Sequence, residues 1–245
     1  MSEHIATALA DGVLTVRLNR PEKKNAITRD MYRGMTAALE RAEAEAEIAA
    51  VLFCGVPGAF CAGNDIKDFL AIAEGGALPG EIRDFLQALV AARKPLIAAV
   101  DGLAIGIGTT LLMHCDLTYA APASVFRTPF LDLGLTPEAG SSLIAPRLMG
   151  LPRAFALLVL GEAFDAEAAK AAGLVYAVTD DPEAAALDAA KRLAAKPPEA
   201  LSIARALLRG TQDDVAARID QEIGYFADRL MSSEAKAAFQ AFMAR

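Results

Sequence analysis

The segment GVLTVRLNR sets Leu14, Val16 and Leu18 against Thr15 and Arg17. That period-two alternation predicts a half-buried strand. RPEKKNAIT follows as a polar turn, and Thr28 at its end is suited to cap a helix. From Arg29 to about Glu47 the apolar residues Met31, Met35, Ala38 and Leu39 fall at helical spacing. AAVLFCGV and KPLIAAVDG are short unbroken apolar runs, which predict strands buried on both faces. LTYAAP and ASVFRTP predict two more short strands, split at Pro122. Helical patterns cover Ser141 to Leu148, Arg153 to Leu160 and Ala166 to Ala172, the last ended by Gly173. Beyond about Asp180 only helical spacing remains. One Ala-rich stretch is divided by Pro-Pro, and a later one carries Ile219, Ile223, Phe226 and Leu230 on a single stripe. Strands alternating with helices, then helices alone, define an α/β chain with a helical C-terminal region.

Composition narrows this picture. The 245 residues, 54% hydrophobic and 22% charged, suffice for one large domain or a domain with an appendage. The net charge of −7 argues against a nucleic-acid partner, which needs a basic face. It leaves room for an anionic small ligand met by local Lys and Arg. MSEHIATALADG lacks the apolar core of a signal peptide, and His4 is expected in a flexible terminus. The run from Leu96 to Met113 is broken by Asp101 and glycines, so it predicts buried elements and no membrane span. The three cysteines, Cys54, Cys61 and Cys115, show no C-x-x-C spacing. Neither a disulfide frame nor a metal site is expected, and a reducing cytoplasm fits.

Chemistry could sit in three places. In AFCAGNDIKDFL a strand runs into small residues and a helix starts near Asp65. The amide of Asn64 is then free to meet an anion or a polarised oxygen. An ordinary turn capped by Asn64 or Asp65 reads equally well. In DGLAIGIGTTLLMHCDL a second strand ends at glycines before an apolar helix. Gly106-Ile107-Gly108 is half a dinucleotide fingerprint, but Leu111 stands where its third glycine belongs. The choice there is tight helix packing or a second free amide, on Ile107. In LGLTPEAGSS, Glu138 stands among Leu, Pro, Gly, Ala and Ser. Thr136-Pro137-Glu138 can start a helix with Thr136 as cap. Otherwise the acid is held inside, and a buried carboxylate needs a reason. His114, in an apolar helix beside Cys115, is read as a packed structural residue.

In combination the segments are more specific. NRPEKKNAIT, AFCAGNDIKDF, KPLIAAVDGLAIGIGTTLLMHCD and FRTPFLDLGLTPEAGSSLIAPRLMG, in this order, closely resemble the crotonase, or enoyl-CoA hydratase/isomerase, superfamily. The likeness reaches the closing SSEAKAAFQAFMAR. It implies a crotonase-like spiral of ββα units forming two roughly perpendicular sheets. The acyl-CoA-binding core would span residues 1–190, and a C-terminal helical region over 191–245 would support a homotrimer or a dimer of trimers. The ligand implied is an acyl-CoA thioester, with coenzyme A part of the substrate and no separate cofactor. The backbone amides of Asn64 and Ile107 would hold the thioester oxygen. Ala26, Ala62, Asp65, Ile66 and Phe130 would line the ligand, and Lys24 would meet a CoA phosphate. Phe242 and Arg245 would reach a neighbouring copy's site.

One departure bears on the reaction. Typical hydratases of the family carry two glutamates. The matching positions here are Thr110 and Phe130, and neither is an acid. T-P-F-x-x-L-G-x-x-P-E-x-x-S-S instead resembles the Δ3,Δ2-enoyl-CoA isomerases, in which the matching Glu is the single base. The resemblance thus implies that Glu138 shuttles a proton from C2 to C4. Hydration, other enolate chemistry on an acyl-CoA, and a silent CoA-binding protein are the rival readings.

Overall fold

The computed structural model describes residues 2–75 and 78–243, with residues 71–75 and 242–243 as backbone alone. Strands β1 (Ile5–Ala10) and β2 (Val13–Leu18) form an antiparallel hairpin. Its turn is Asp11-Gly12, with φ of 51° and 74°. Asp-Gly is suited to a two-residue hairpin turn that needs positive φ at both positions. The N-terminal segment is therefore the first strand and not a flexible end. The carbonyl of His4 is held by the Asn19 amide at 2.9 Å.

Helix α1 (Arg29–Ala44) starts under Thr28, whose hydroxyl oxygen accepts from the Met31 amide at 3.3 Å. Three strand pairs follow: β3 (Ala50–Cys54) with β4 (Ala59–Cys61), β5 (Leu96–Val100) with β6 (Leu103–Ile105), and β7 (Leu117–Ala120) with β8 (Val125–Arg127). The first strand of each pair joins one sheet and the second joins another. Short β9 (Phe164–Asp165) and β10 (Ala177–Val178) complete them. The sheets run β1-β2-β3-β5-β7-β10 and β4-β6-β8-β9, each parallel except for one antiparallel pair. This is the expected spiral of strand pairs. Helices α2 (Ile66–Gly75) and α3 (Gly80–Ala91) follow β4, and the single turn α4 (Ile107–Thr110) follows β6.

The unbroken apolar runs are explained by burial on both faces. Val51 and Phe53 of β3 face the main core, while Ala50, Leu52 and Cys54 face a second cluster. Ala186, Ala189 and Ala190 of α8 (Pro182–Ala194) close that cluster. Alternate side chains point to opposite faces of a strand, so a sheet covered on both sides shows no alternation.

Between these parts lie α5 (Ser141–Met149), α6 (Leu151–Leu158) and α7 (Ala166–Ala171). Helix α6 starts two residues before the expected Arg153, with Pro152 in its first turn, where the missing N–H costs nothing. Of the two readings of Thr136-Pro137-Glu138, the helix start at Thr136 is not formed. Residues 135–138 are neither helix nor strand, and α5 begins at Ser141. The Thr136 hydroxyl is buried with no hydrogen-bond partner among the described residues. The chain closes with α9 (Pro198–Arg209), α10 (Asp213–Leu230) and α11 (Ser233–Met243). Arg245 and the side chain of Phe242 lie outside the described residues. No helix among the described residues is long and apolar enough to cross a membrane.

The polar turn after β2 is structural as well as polar. Asn25 is fully buried at φ 57°. Its Oδ1 accepts from the Arg20 amide at 2.7 Å, and its Nδ2 donates to the carbonyls of Ala59 (2.9 Å) and Phe60 (3.1 Å). Asn tolerates this left-handed conformation better than most residues. Asn25→Ala removes three hydrogen bonds of this buried turn and keeps the strain, so it is expected to cost about 2–3 kcal/mol of stability in a denaturant titration.

Candidate active site

The site grows from the pairing of β4 with β6. Cys61 lies beside Ala104 in a parallel register, so both strands leave the sheet at the same end. Each then passes through a glycine that only a residue without Cβ occupies comfortably. Gly63 has φ 91° and Gly106 has φ 55°. A Cβ placed on Gly106 would stand 3.9 Å from the Cα of Gly63, so the two glycine turns abut. The residue after each glycine is the one whose amide is free. Ile27 bonds to Gly63 O and to Asp65 N, on either side of Asn64. The Asn64 amide is thus bypassed and has no backbone acceptor among the described residues. The Ile107 amide opens α4, where first-turn N–H groups have no helical partner.

Both amide-bearing residues line one cavity of about 110 Å³. Ala62, Gly63, Ile66, Ile105, Gly106 and Phe130 contribute to its wall, and Phe69, Phe226 and Phe239 add an aromatic side. Phe69 meets Phe226 edge-on with centroids 5.8 Å apart. The wall is largely apolar, with few side chains that can compete for a polar ligand group.

Glu138 is buried, at 6% exposure. One carboxylate oxygen accepts from the Thr110 hydroxyl at 2.5 Å. Thr110 is the last residue of α4, the turn that Ile107 opens. The acid is therefore tied to the element that presents the free amide, although its own carboxyl is not part of the cavity wall. Burial pushes its pKa up to about 8, against the Thr110 bond, and the nearby Glu222 carboxylate adds to the rise. The loop is fixed on its other side as well. Ala139 has φ 62°, unusual for a residue with a Cβ, and is followed by Gly140 at φ 71°. The Ala139 carbonyl accepts from His114 Nε2–H at 2.7 Å. Burial lowers the His114 pKa to about 4, so the ring is neutral and serves as a donor. It is the packed residue that its apolar surroundings indicate.

The remaining candidates divide. Ala62, Ile66 and Phe130 join the two amides at the cavity. Lys24 is exposed and outside the wall, and its carbonyl accepts from the Ala62 amide at 2.9 Å. Ala26 is half-buried, and its carbonyl accepts from Arg20 at 2.9 Å. Asp65 is outside the wall. It pairs with Arg20 at 2.7 Å and accepts from the Lys67 amide at 2.9 Å, so it caps α2. Burial acts to raise its pKa, but those bonds hold it below the ordinary carboxylate value. No group of three His, Cys, Asp or Glu residues able to hold a metal ion occurs among the described residues.

Two site neighbours do not appear in the sequence reading. Tyr32 is buried in α1 and donates its hydroxyl to Asn64 Oδ1 at 2.6 Å. Glu222 of α10, at 5% exposure, accepts from the amides of Gly140 (2.6 Å) and Ser142 (3.0 Å). A signal for Glu222 exists: it lies three residues after Ile219 and four before Phe226, on the apolar stripe of its helix.

Comparison with known proteins gives the family. The model of the family described as enoyl-CoA hydratase/isomerase matches residues 9–245. The chain is 36% identical over 214 residues to "Probable enoyl-CoA hydratase echA14" of Mycobacterium tuberculosis, covering 85% of this chain and 82% of that one. It is 33% identical over 252 residues to "Enoyl-CoA delta isomerase 2" of Rattus norvegicus, covering all of this chain and 64% of the rat protein. The solved structure of Pseudomonas aeruginosa OdaA superposes with a TM-score of 0.95 at 42% identity, covering both chains in full. This chain belongs to the enoyl-CoA hydratase/isomerase family and has the crotonase fold.

Proposed function

We propose that the protein is an enoyl-CoA isomerase that moves a double bond from position 3 to position 2 of an acyl-CoA thioester. The observation that carries this reading is a buried carboxylate, Glu138, held by the same turn that presents a free amide. In the reaction the ionised carboxylate removes a proton from C2. The electron pair spreads through a dienolate, and charge collects on the thioester oxygen. The amides of Asn64 and Ile107 form an oxyanion hole for that charge, each such donor typically contributing about 3–4 kcal/mol. The carboxyl then returns the proton at C4, leaving the conjugated 2-enoyl product. Phe130 and its aromatic neighbours exclude water from the intermediate. Ala26 and Ala62 leave room for the CoA moiety, and Lys24 is the cation assigned to its phosphates.

Hydration asks for a second acid–base group beside the first. Thr110 and Phe130 occupy the two places where the hydratases carry their acids. The neighbouring Glu222 is already committed to two backbone amides. Assembly belongs to the same proposal. Ile203, Leu207 and Leu208 leave an apolar face of α9 in water, which suits a homotrimer.

The test is conversion of 3-hexenoyl-CoA, followed by the ultraviolet absorbance of the conjugated thioester. Its pH dependence reports the base. The carboxylate must be ionised to take a proton, and its pKa is raised to about 8. The expected kcat/KM therefore climbs as pH rises from 6, with a midpoint near 8. A profile flat from pH 6 to 9 excludes a buried carboxyl base.

A further inference from the structure

Glu222 is a buried acid that the proposed reaction does not use, and it lies on a different part of the chain from the other site residues. Its two oxygens take the amides of Gly140, within the left-handed turn after Glu138, and of Ser142 just beyond it. Helix α5 has no cap from its own N-cap residue, Gly140, so Glu222 supplies that cap from α10. Arg218, one turn earlier on α10, donates to the Ser142 hydroxyl at 3.0 Å and fixes the same junction. The Glu138 loop is thus held at three points: its carboxyl by Thr110, the Ala139 carbonyl by His114, and the amides beyond by Glu222.

We propose that Glu222 is a positioning residue for Glu138. It fixes the loop that carries the base, and it sets a second negative charge beside the base. The proposal rests on Glu138 being the base. The charged and titratable groups around the pair are few. Tyr32 of α1 and Cys61 of β4 lie near Glu138, and burial holds both neutral. Neutral His114 meets the loop backbone, and the Arg218 cation acts on Glu222 against the rise that burial causes. Removing the charge of Glu222 leaves no comparable anion beside Glu138 among the described residues, so the proton on Glu138 is held less tightly.

The decisive variant is Glu222→Gln, assayed for 3-hexenoyl-CoA isomerisation from pH 6 to 10 and for thermal unfolding, beside Glu138→Gln. The expected result is a midpoint of kcat/KM shifted below the wild-type pH, with kcat at the plateau down about tenfold and KM little changed. A folded Glu222→Gln enzyme whose midpoint stays at the wild-type pH overturns the proposal, whether or not its Tm falls. A purely structural cap would lower Tm and rate at every pH alike. If Glu222→Gln does not fold, Glu222→Asp decides instead. It keeps the charge but withdraws it by one methylene, so kcat is expected to fall about tenfold at unchanged KM, and a wild-type kcat overturns the proposal. Full activity in Glu138→Gln is a separate outcome: it removes the base assignment itself.

Discussion

Glu138→Gln is expected to lower isomerisation by ~10²–10⁴-fold, the usual consequence of losing a general acid–base group. The change is nearly isosteric, and the amide oxygen can still accept from Thr110. KM should therefore stay within a few-fold of wild type while kcat falls. The same variant should reveal the strain of a buried acid. The carboxyl of Glu138 ionises near pH 8 in the fold, far above an unfolded glutamate. Between those two values the native state holds the extra proton. Its contribution to stability is complete at low pH and is lost as pH rises through about 8. Glutamine carries no such proton. The variant is therefore expected to gain Tm relative to wild type at pH 9 and to show little gain at pH 5. Each kcal/mol of difference would appear as roughly 2–4 °C in a chain of this size. An equal Tm difference at both pH values would contradict the buried-acid account.

Gly108→Ala carries the other large effect. A Cβ at position 108 would stand 2.7 Å from Cys61 Cβ and 2.8 Å from the Cys61 carbonyl oxygen. Neither is the end of a flexible side chain, so α4 must move away from β4. These are the elements that set Ile107 against Asn64. Spoiling one oxyanion donor costs about 10²–10³ in kcat, and overpacking costs a further ~1–3 kcal/mol of stability. Steady-state kinetics with a thermal melt on the same sample separates the two. A folded Gly108→Ala enzyme with wild-type kcat would show that the paired amides do not govern the rate.

The sequence carries much of this at the level of local pattern. Val51 and Phe53 alternate with Leu52 and Cys54, and unbroken apolar runs of this kind already indicate strands covered on both sides. The free amides are legible because each follows a glycine at the end of a short strand. What the local pattern misses depends on partners far along the chain. Ile5–Ala10 is IATALA, whose small side chains alternate weakly, so only the Asp-Gly turn marks it as a strand. Thr136-Pro137-Glu138 has the composition of a helix start, but the loop is drawn elsewhere. His114 holds the carbonyl of Ala139, while Glu222, 82 residues beyond Gly140, holds its amide. Asn64 shows the same limit. Its side chain is incidental to a backbone donor, yet the structure ties it to Tyr32.

In the proposed mechanism one carboxylate base with two amides makes an isomerase and a poor hydratase. It is tested most directly by measuring kcat/KM for 3-hexenoyl-CoA isomerisation and for crotonyl-CoA hydration on one wild-type preparation. Isomerisation is expected to exceed hydration by ~10²-fold or more, since hydration lacks its second acid–base group. Hydration equal to or faster than isomerisation would contradict it.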